Sequence, residues 1–384
     1  MSIRELLFVL IKCSIDGIEP SEEAKKALDV VDLATLFKVA KHHDVCHLVG
    51  HALIEGNLIR KDNPLYMGLE EQIGKAVFRC ERIAIELGEI TRVLEAGQIK
   101  HIPLKGAVIR GYYRESWMRP SCDIDILVEE KDLKKACRLL KDELSYTSDD
   151  KVTYHDVSLF SPSGVHLELH YNIRENIESL DRVLMRPWDY SREAEGFKYS
   201  YKMREEYLIF HLIAHTAYHF LKGGCGIRPV IDLYTLKKNI SYNCDTLSAL
   251  LEETELTKFY KELSHLTEYW LEGKEPNDTT KKMEKYILLG GVYGTKENVT
   301  ATGQAKKGKT GNLFSKIFVS YEALVGQFPV LKKWKILTPV FQIVRWFKVL
   351  FSKGIKKTAK EVKASTAHLE RTEEIKEMLK ELEL

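Results

Sequence analysis

The spacing of apolar and polar positions changes character twice along the chain. Residues 1 to about 98 carry apolar side chains at intervals of three and four, as in Leu33, Leu36, Phe37 and Ala40, the period of an amphipathic helix. Asp32 precedes that run and is placed to cap it. A second long helical pattern, Leu69 to Leu94, contains no Pro and is weakened only at Gly74 and Gly88. At His101 the texture shifts. Ile102-Pro103-Leu104 reads as a short extended stretch, followed by Lys105-Gly106-Ala107 and a brief helical run to Tyr113. Asp123 to Val128 alternates as a strand and Lys131 to Leu144 as an amphipathic helix. Val152 to Phe160 and Val165 to Tyr171 are β-rich, and the intervening Ser161-Pro162-Ser163-Gly164 predicts a hairpin turn. From about Asp181 the chain returns to helix, in Glu205–Leu221, Pro229–Lys238, Thr246–Leu266 and Thr279–Leu289. Gly223-Gly224-Cys225-Gly226 reads as a helix stop, and residues 293–312, rich in Gly, Thr and Lys, as a flexible loop. A last helix, His368 to Leu382, carries the stripe Ile375, Met378, Leu379 and Leu382, which would close a dimer or cover the protein's own core.

This pattern predicts an α+β fold: a small mixed sheet flanked by helical regions. It divides into a helical region at 1–98, an α/β core at 99–180, a helical domain at 181–292, and a loop, basic region and terminal helix at 293–384. A length of 384 residues suits two or three packed units. The 44% hydrophobic and 30% charged fractions exclude a chain that is disordered throughout.

Charge adds one asymmetry. The net charge is +2, yet 306–363 holds 14 Lys/Arg against 2 Asp/Glu. Such a segment suits an acidic partner or a solvated basic face. Its Trp334, Trp346 and Phe347 suit RNA or a membrane surface, or a helix docked by its aromatic side onto the protein itself, the reading we favour. Seven cysteines without a C-x-x-C pair give neither a disulfide framework nor a zinc knuckle, and fit a reducing, cytoplasmic setting. Leu6–Ile11 is too short to span a bilayer. Val340–Phe351 is interrupted by Gln342, Arg345 and Lys348 on one helix face, so no transmembrane segment is expected.

Candidate chemistry centres on Asp123 and Asp125. Two apart on a strand, they point to one face while Ile124 and Ile126 point into the core. Such a pair can bridge magnesium ions, which bind through carboxylates and substrate phosphates. Lys105-Gly106 follows a strand end, where a Gly lets backbone approach a phosphate closely. Glu168 sits between His166 and His170 on one face of a strand. If that strand lies beside the one bearing Asp123, three carboxylates converge.

Pro103-Leu104-Lys105-Gly106, then Met118-Arg119-Pro120-Ser121-Cys122-Asp123-Ile124-Asp125-Ile126-Leu127-Val128, then Leu167-Glu168-Leu169-His170 resemble the polymerase-β-type nucleotidyltransferase superfamily. More closely they resemble a bacterial family of nucleotidyltransferase family proteins, over most of residues 30–290. The resemblance implies a polymerase-β-like core in which Asp123, Asp125 and Glu168 are catalytic and hold Mg²⁺ or Mn²⁺. Lys105, Gly106 and Arg119 would bind an NTP co-substrate. The activity implied is NMP transfer to a hydroxyl acceptor (a small molecule, a protein or RNA) with release of pyrophosphate. Ala107 departs from the superfamily, which places Gly or Ser after the turn glycine. The competing expectation is a non-catalytic nucleotide- or RNA-binding protein on the same fold. Arg119 would neutralise phosphate or pair with an acidic residue to hold its loop. His211, His215 and His219 share a helix face and are expected to be packed or supporting side chains. Asp232 is expected to cap its helix or pair with Arg228.

Overall fold

The β-rich middle of the chain forms a five-stranded sheet in the computed structural model, which describes residues 1–292, 294–295, 298–305, 319, 321–353 and 369–384. Its strands are β1 (His101–Pro103), β2 (Asp123–Val128), β3 (Thr147–Val152), β4 (Asp156–Phe160) and β5 (His166–His170), in the order β1-β2-β5-β4-β3. β2 and β5 run parallel, and the other pairings are antiparallel. The sheet is therefore mixed, as the alternation predicts.

One face of the sheet is the core. Ile124, Ile126, Val128, Leu159, Leu167 and Leu169 are fully buried there. They pack with Ile83, Ile90 and Leu94 of the long helix Tyr66–Ala96 and with Ala136 and Leu140 of Leu133–Leu144. Each such side chain contributes about 1.5–3 kcal/mol by leaving water. Period-two alternation then forces the partners of this set, Asp123, Asp125, His166, Glu168 and His170, onto the opposite face.

The N-terminal residues form five helices: α1 (Ile3–Asp16), α2 (Glu22–Leu28), α3 (Leu33–His42), α4 (Cys46–Glu55) and α5 (Tyr66–Ala96). Asp32 caps α3, its carboxylate accepting from Ala34 N and Thr35 N. After β1 come α6 (Gly106–Ile109) and, beyond β2, α7 (Leu133–Leu144). Past the sheet lie α8 (Glu178–Leu184), α9 (Glu205–Leu221), α10 (Arg228–Asn239), α11 (Cys244–Glu253) and α12 (Thr257–Glu272).

Four departures from the sequence reading have local causes. β3 is a separate strand, and the run Val152–Phe160 is broken at residues 153–155. Its Thr-Ser-Asp-Asp-Lys composition reads as polar because β3 is an edge strand. A small hairpin, Ser191–Glu193 with Tyr201–Met203, interrupts the expected return to helix. Thr246–Leu266 is not one helix: α11 and α12 are separated at Glu255, whose φ is 62°. Residues 298–305 are helical where a flexible loop was expected.

Met1–Thr216 and Ile227–Thr280 form one compact unit; Ala217–Gly226 and Lys281–Leu384 form a second. In the second, the helix Leu369–Glu381 buries the side chains of Ile375, Met378 and Leu379, and Leu382 just beyond it is buried too. Lys285 Nζ meets Glu374 at 2.8 Å. The predicted stripe thus covers the unit's own core. Gly223 (φ 121°) has no room for a side chain, since a Cβ would lie 2.8 Å from Val299 N. Of the basic region, 306–318, 320 and 354–363 lie outside the described residues. Trp334, ahead of the helix Thr338–Lys353, is 60% exposed and is not docked, whereas Trp346 within that helix is half-buried. No described helix is long and apolar enough to cross a membrane.

Candidate metal and nucleotide site

The parallel register sets the site. Asp123 pairs with His166, Asp125 with Glu168, and Leu127 with His170. Neighbouring strands stand about 4.8 Å apart, so the Asp125 and Glu168 carboxylates converge by backbone geometry alone. Asp125 is 5% exposed, whereas Asp123 and Glu168 are half-buried. His170 donates from Nε2 to Asp125 Oδ1 at 3.0 Å and lies 3.5 Å from Glu168 Oε2. Lys105 Nζ reaches the same Asp125 Oδ1 at 2.9 Å.

Burial would raise the pKa of Asp125, but the Lys105 charge and the His170 hydrogen bond outweigh it and hold the carboxyl well below its ordinary range. Lys105 is itself shifted up: desolvation opposes its charge, and Asp125 more than compensates. His170 follows the same pattern and moves up, its hydrogen bonds to Asp125 and Glu168 overcoming desolvation. Asp123 moves up as well, through burial and the negative charges of Asp125 and Glu168. Three carboxylates therefore face one close ammonium, and the negative field left over falls on Asp123.

Among the described residues, ligand atoms of Asp125, Glu168 and His170 lie within 4.8 Å of one another and can together hold a metal ion. Two of the three expected metal residues belong to this set; Asp123, one turn of the pleat away, does not. His170 was not singled out in the sequence, although Glu168 and His170 stand two apart, the spacing that drew attention to Asp123 and Asp125. The donor set fits a divalent cation. It supplies two carboxylates and an imidazole, with the half-buried Asp123 carboxylate beside them.

Lys105 holds φ 45° and ψ −122°, a conformation that costs a side-chain-bearing residue roughly 1–3 kcal/mol. The surroundings that impose it are visible. Leu104 N donates to Asp125 O at 2.9 Å, fixing β1 against β2, and Arg110 Nε donates to Gly106 O at 2.8 Å. A Cβ on Gly106 would lie 3.0 Å from Ser121 Cβ, so the turn accepts only glycine without shifting. The following helix α6 is a single turn.

Arg119 does not face the carboxylate cluster alone. Its Nε donates to Asp232 Oδ1 at 2.7 Å and Oδ2 at 2.9 Å, and its Nη1 to Pro120 O at 3.1 Å. Tyr113 donates to Asp232 Oδ1 at 2.6 Å. The expected pairing of Asp232 with Arg228 is not formed; Arg228 instead meets Asp44 at 2.6 Å. Asp232 is 1% exposed, so this network ties α10 to the loop entering β2.

Histidines back the site. His155 stacks on His170 with centroids 5.4 Å apart. His211 is buried, and desolvation with the charges of His215 and Lys105 keeps it neutral, its pKa well below the ordinary value. His215 Nδ1 lies 2.8 Å from Glu175 Oε1. His211 is a packed side chain and His215 is half-buried; His219 belongs to the second unit.

Comparison with known families gives one match, "Uncharacterised nucleotidyltransferase", over residues 29–272. No curated protein and no solved structure matches the chain. The matched span runs from the residues before α3 to the end of α12 and includes every residue of the site.

Proposed function

We propose that this chain, which belongs to the family of uncharacterised nucleotidyltransferases, transfers NMP from an NTP to a hydroxyl acceptor on a polymerase-β-like core. One observation carries the reading. Asp125 and Glu168 are register partners on adjacent parallel strands, with Lys105 and the tight turn at Gly106 beside them.

A bound Mg²⁺ or Mn²⁺ would neutralise phosphate charge in the transition state. Asp125, Glu168 and His170 would hold it, and Asp123 would extend the carboxylate surface to a second ion. Lys105 and Gly106, on the β1 side of Asp125, take the β- and γ-phosphates. Arg119 is oriented by Asp232, and its Nη1 is 3.6 Å from where a Gly106 Cβ would stand, so it adds positive charge at the turn. Glu168 accepts the acceptor hydroxyl's proton. The hydroxyl oxygen forms a bond to the α-phosphorus as the bond to the bridging oxygen breaks, and pyrophosphate leaves. Catalysis is mostly positioning and charge neutralisation.

The direct test incubates the protein with each α-labelled NTP, Mg²⁺ and a cell extract, beside an Asp123→Ala/Asp125→Ala control. Label should move to one extract fraction with the wild type and not with the control. Label that moves equally well from the control sinks the proposal.

A further inference from the structure

We propose that the acceptor is a nucleotide, the 3′ end of a single-stranded RNA, whose base stacks on Phe160 and whose phosphates meet Arg79 and Arg82. This rests on the transfer reading above. In-line displacement places the attacking hydroxyl opposite the leaving pyrophosphate. With the β- and γ-phosphates on the β1 side, the acceptor approaches over β5 and β4.

Phe160 stands there. It is the register partner of His166, which is the partner of Asp123. The three form a row across β2, β5 and β4, so Phe160 is about 10 Å from Asp123 at ~4.8 Å per strand. Phe160 stacks on the His166 ring at 4.8 Å and 18°, and His166 Nε2 is fixed at 3.1 Å from Ser158 Oγ. Yet Phe160 remains 42% exposed. A large apolar ring held flat on an otherwise polar sheet face contributes little to this core, whose residues lie on the other face. It provides a stacking surface.

Two arginines of the long helix Tyr66–Ala96, which packs on the core face, reach the same end of the sheet, beside Glu86, whose Oε1 accepts from Ser163 Oγ at 2.6 Å. Arg79 Nη1 lies 3.7 Å from Cys122 Sγ, the residue before Asp123. Arg82 Nη1 lies 3.4 Å from Ser163 O in the β4–β5 turn, and its buried Nε has no hydrogen-bond partner among the described residues. Neither arginine forms an ion pair among the described residues. Phe78, 67% exposed, lies under the Arg82 guanidinium at 5.9 Å. Exposed aromatic rings interleaved with unpaired guanidinium groups bind single-stranded nucleic acid by stacking and phosphate contact.

The test measures fluorescence anisotropy of a 5′-fluorescein ribo-adenylate decamer with the full chain, and Mg-ATP binding separately by calorimetry. Phe160→Ala should weaken decamer binding about 5- to 150-fold, the range of one stacked base, while Phe160→Trp retains it. Arg79→Glu/Arg82→Glu should weaken it further and flatten its salt dependence. All these variants should keep wild-type Mg-ATP affinity. Competition by AMP as effective as by unlabelled decamer would assign a free nucleotide, and weak competition a strand end. The proposal is overturned if the wild type does not bind the decamer, or if Phe160→Ala leaves decamer binding unchanged. Loss of Mg-ATP affinity in Phe160→Ala would also overturn it, by giving the ring to the NTP. A wild type that binds decamer but no Mg-ATP defeats the transfer reading instead.

Discussion

Asp125 and Glu168 stand directly opposite each other on two adjacent parallel strands, one almost fully buried and the other half-buried. Such a pair cannot separate without breaking the sheet register. The strands hold the carboxylates together, while Lys105 and His170 make the buried one tolerable.

This arrangement makes Gly106 sensitive. With a Cβ 3.0 Å from Ser121 Cβ, Gly106→Ala requires Ser121 or the turn to give by a few tenths of an ångström. We expect a loss of about 1–3 kcal/mol, together with weaker NTP binding. Urea denaturation checks the first and calorimetry with Mg-NTP the second. Unchanged values for both would show the turn to be roomier than its geometry implies.

The network of Arg119, Asp232 and Tyr113 is buried, and removing its acid should cost more than removing a hydroxyl. Asp232→Ala leaves Arg119, whose side chain is 12% exposed, without its counter-charge, a loss of about 3–5 kcal/mol. Tyr113→Phe removes one hydrogen bond to a charged group, about 1.5–3 kcal/mol. Denaturant midpoints of the two variants give the comparison. If Asp232→Ala costs less than Tyr113→Phe, the ion pair is not the organising contact.

Stability should fall in mild acid through His47. Burial lowers its pKa from 6.5 to about 4, and its Nε2 lies 3.0 Å from the Met118 carbonyl, to which it donates. The unfolded state takes up the proton first, so stability is complete above pH 6.5 and drains away as pH falls toward 4. The loss from this group is roughly 3 kcal/mol. His47→Gln keeps an N–H for Met118 and does not titrate. Its stability should fall less than the wild type's between pH 6.5 and 4. Parallel curves for the two proteins would remove His47 from the account.

Much of the site was legible because the sheet's alternation is strict. Asp123, Asp125, His166, Glu168 and His170 fall on one face because Ile124, Ile126, Leu167 and Leu169 are apolar, and period two leaves no other choice. The turn at Ser161–Gly164 gave the hairpin. What single positions could not show was who pairs with whom. Asp232 lies far along the chain from Arg119, and no local pattern distinguishes that partner from Arg228. Lys105 and His170 meet on Asp125 only after three strands align. Strand β3 escaped because an edge strand needs no apolar row, and residues 298–305 because their composition suits a loop as well as a helix. Phe160 was visible as an apolar residue of a strand, but its exposure depends on a register that only the assembled sheet defines.

The account stands on whether Asp125 serves a divalent ion that an NTP needs. The most direct measurement is the affinity of the full chain for a non-hydrolysable α,β-linked NTP analogue, with Mg²⁺ and then with chelator, in wild type and in the near-isosteric Asp125→Asn. We expect Mg²⁺ to tighten wild-type binding at least about tenfold, a coupling of about 1.4 kcal/mol, and Asp125→Asn to abolish that dependence while remaining folded. Equal affinity with and without the ion, or a magnesium dependence that survives Asp125→Asn, would contradict the central claim.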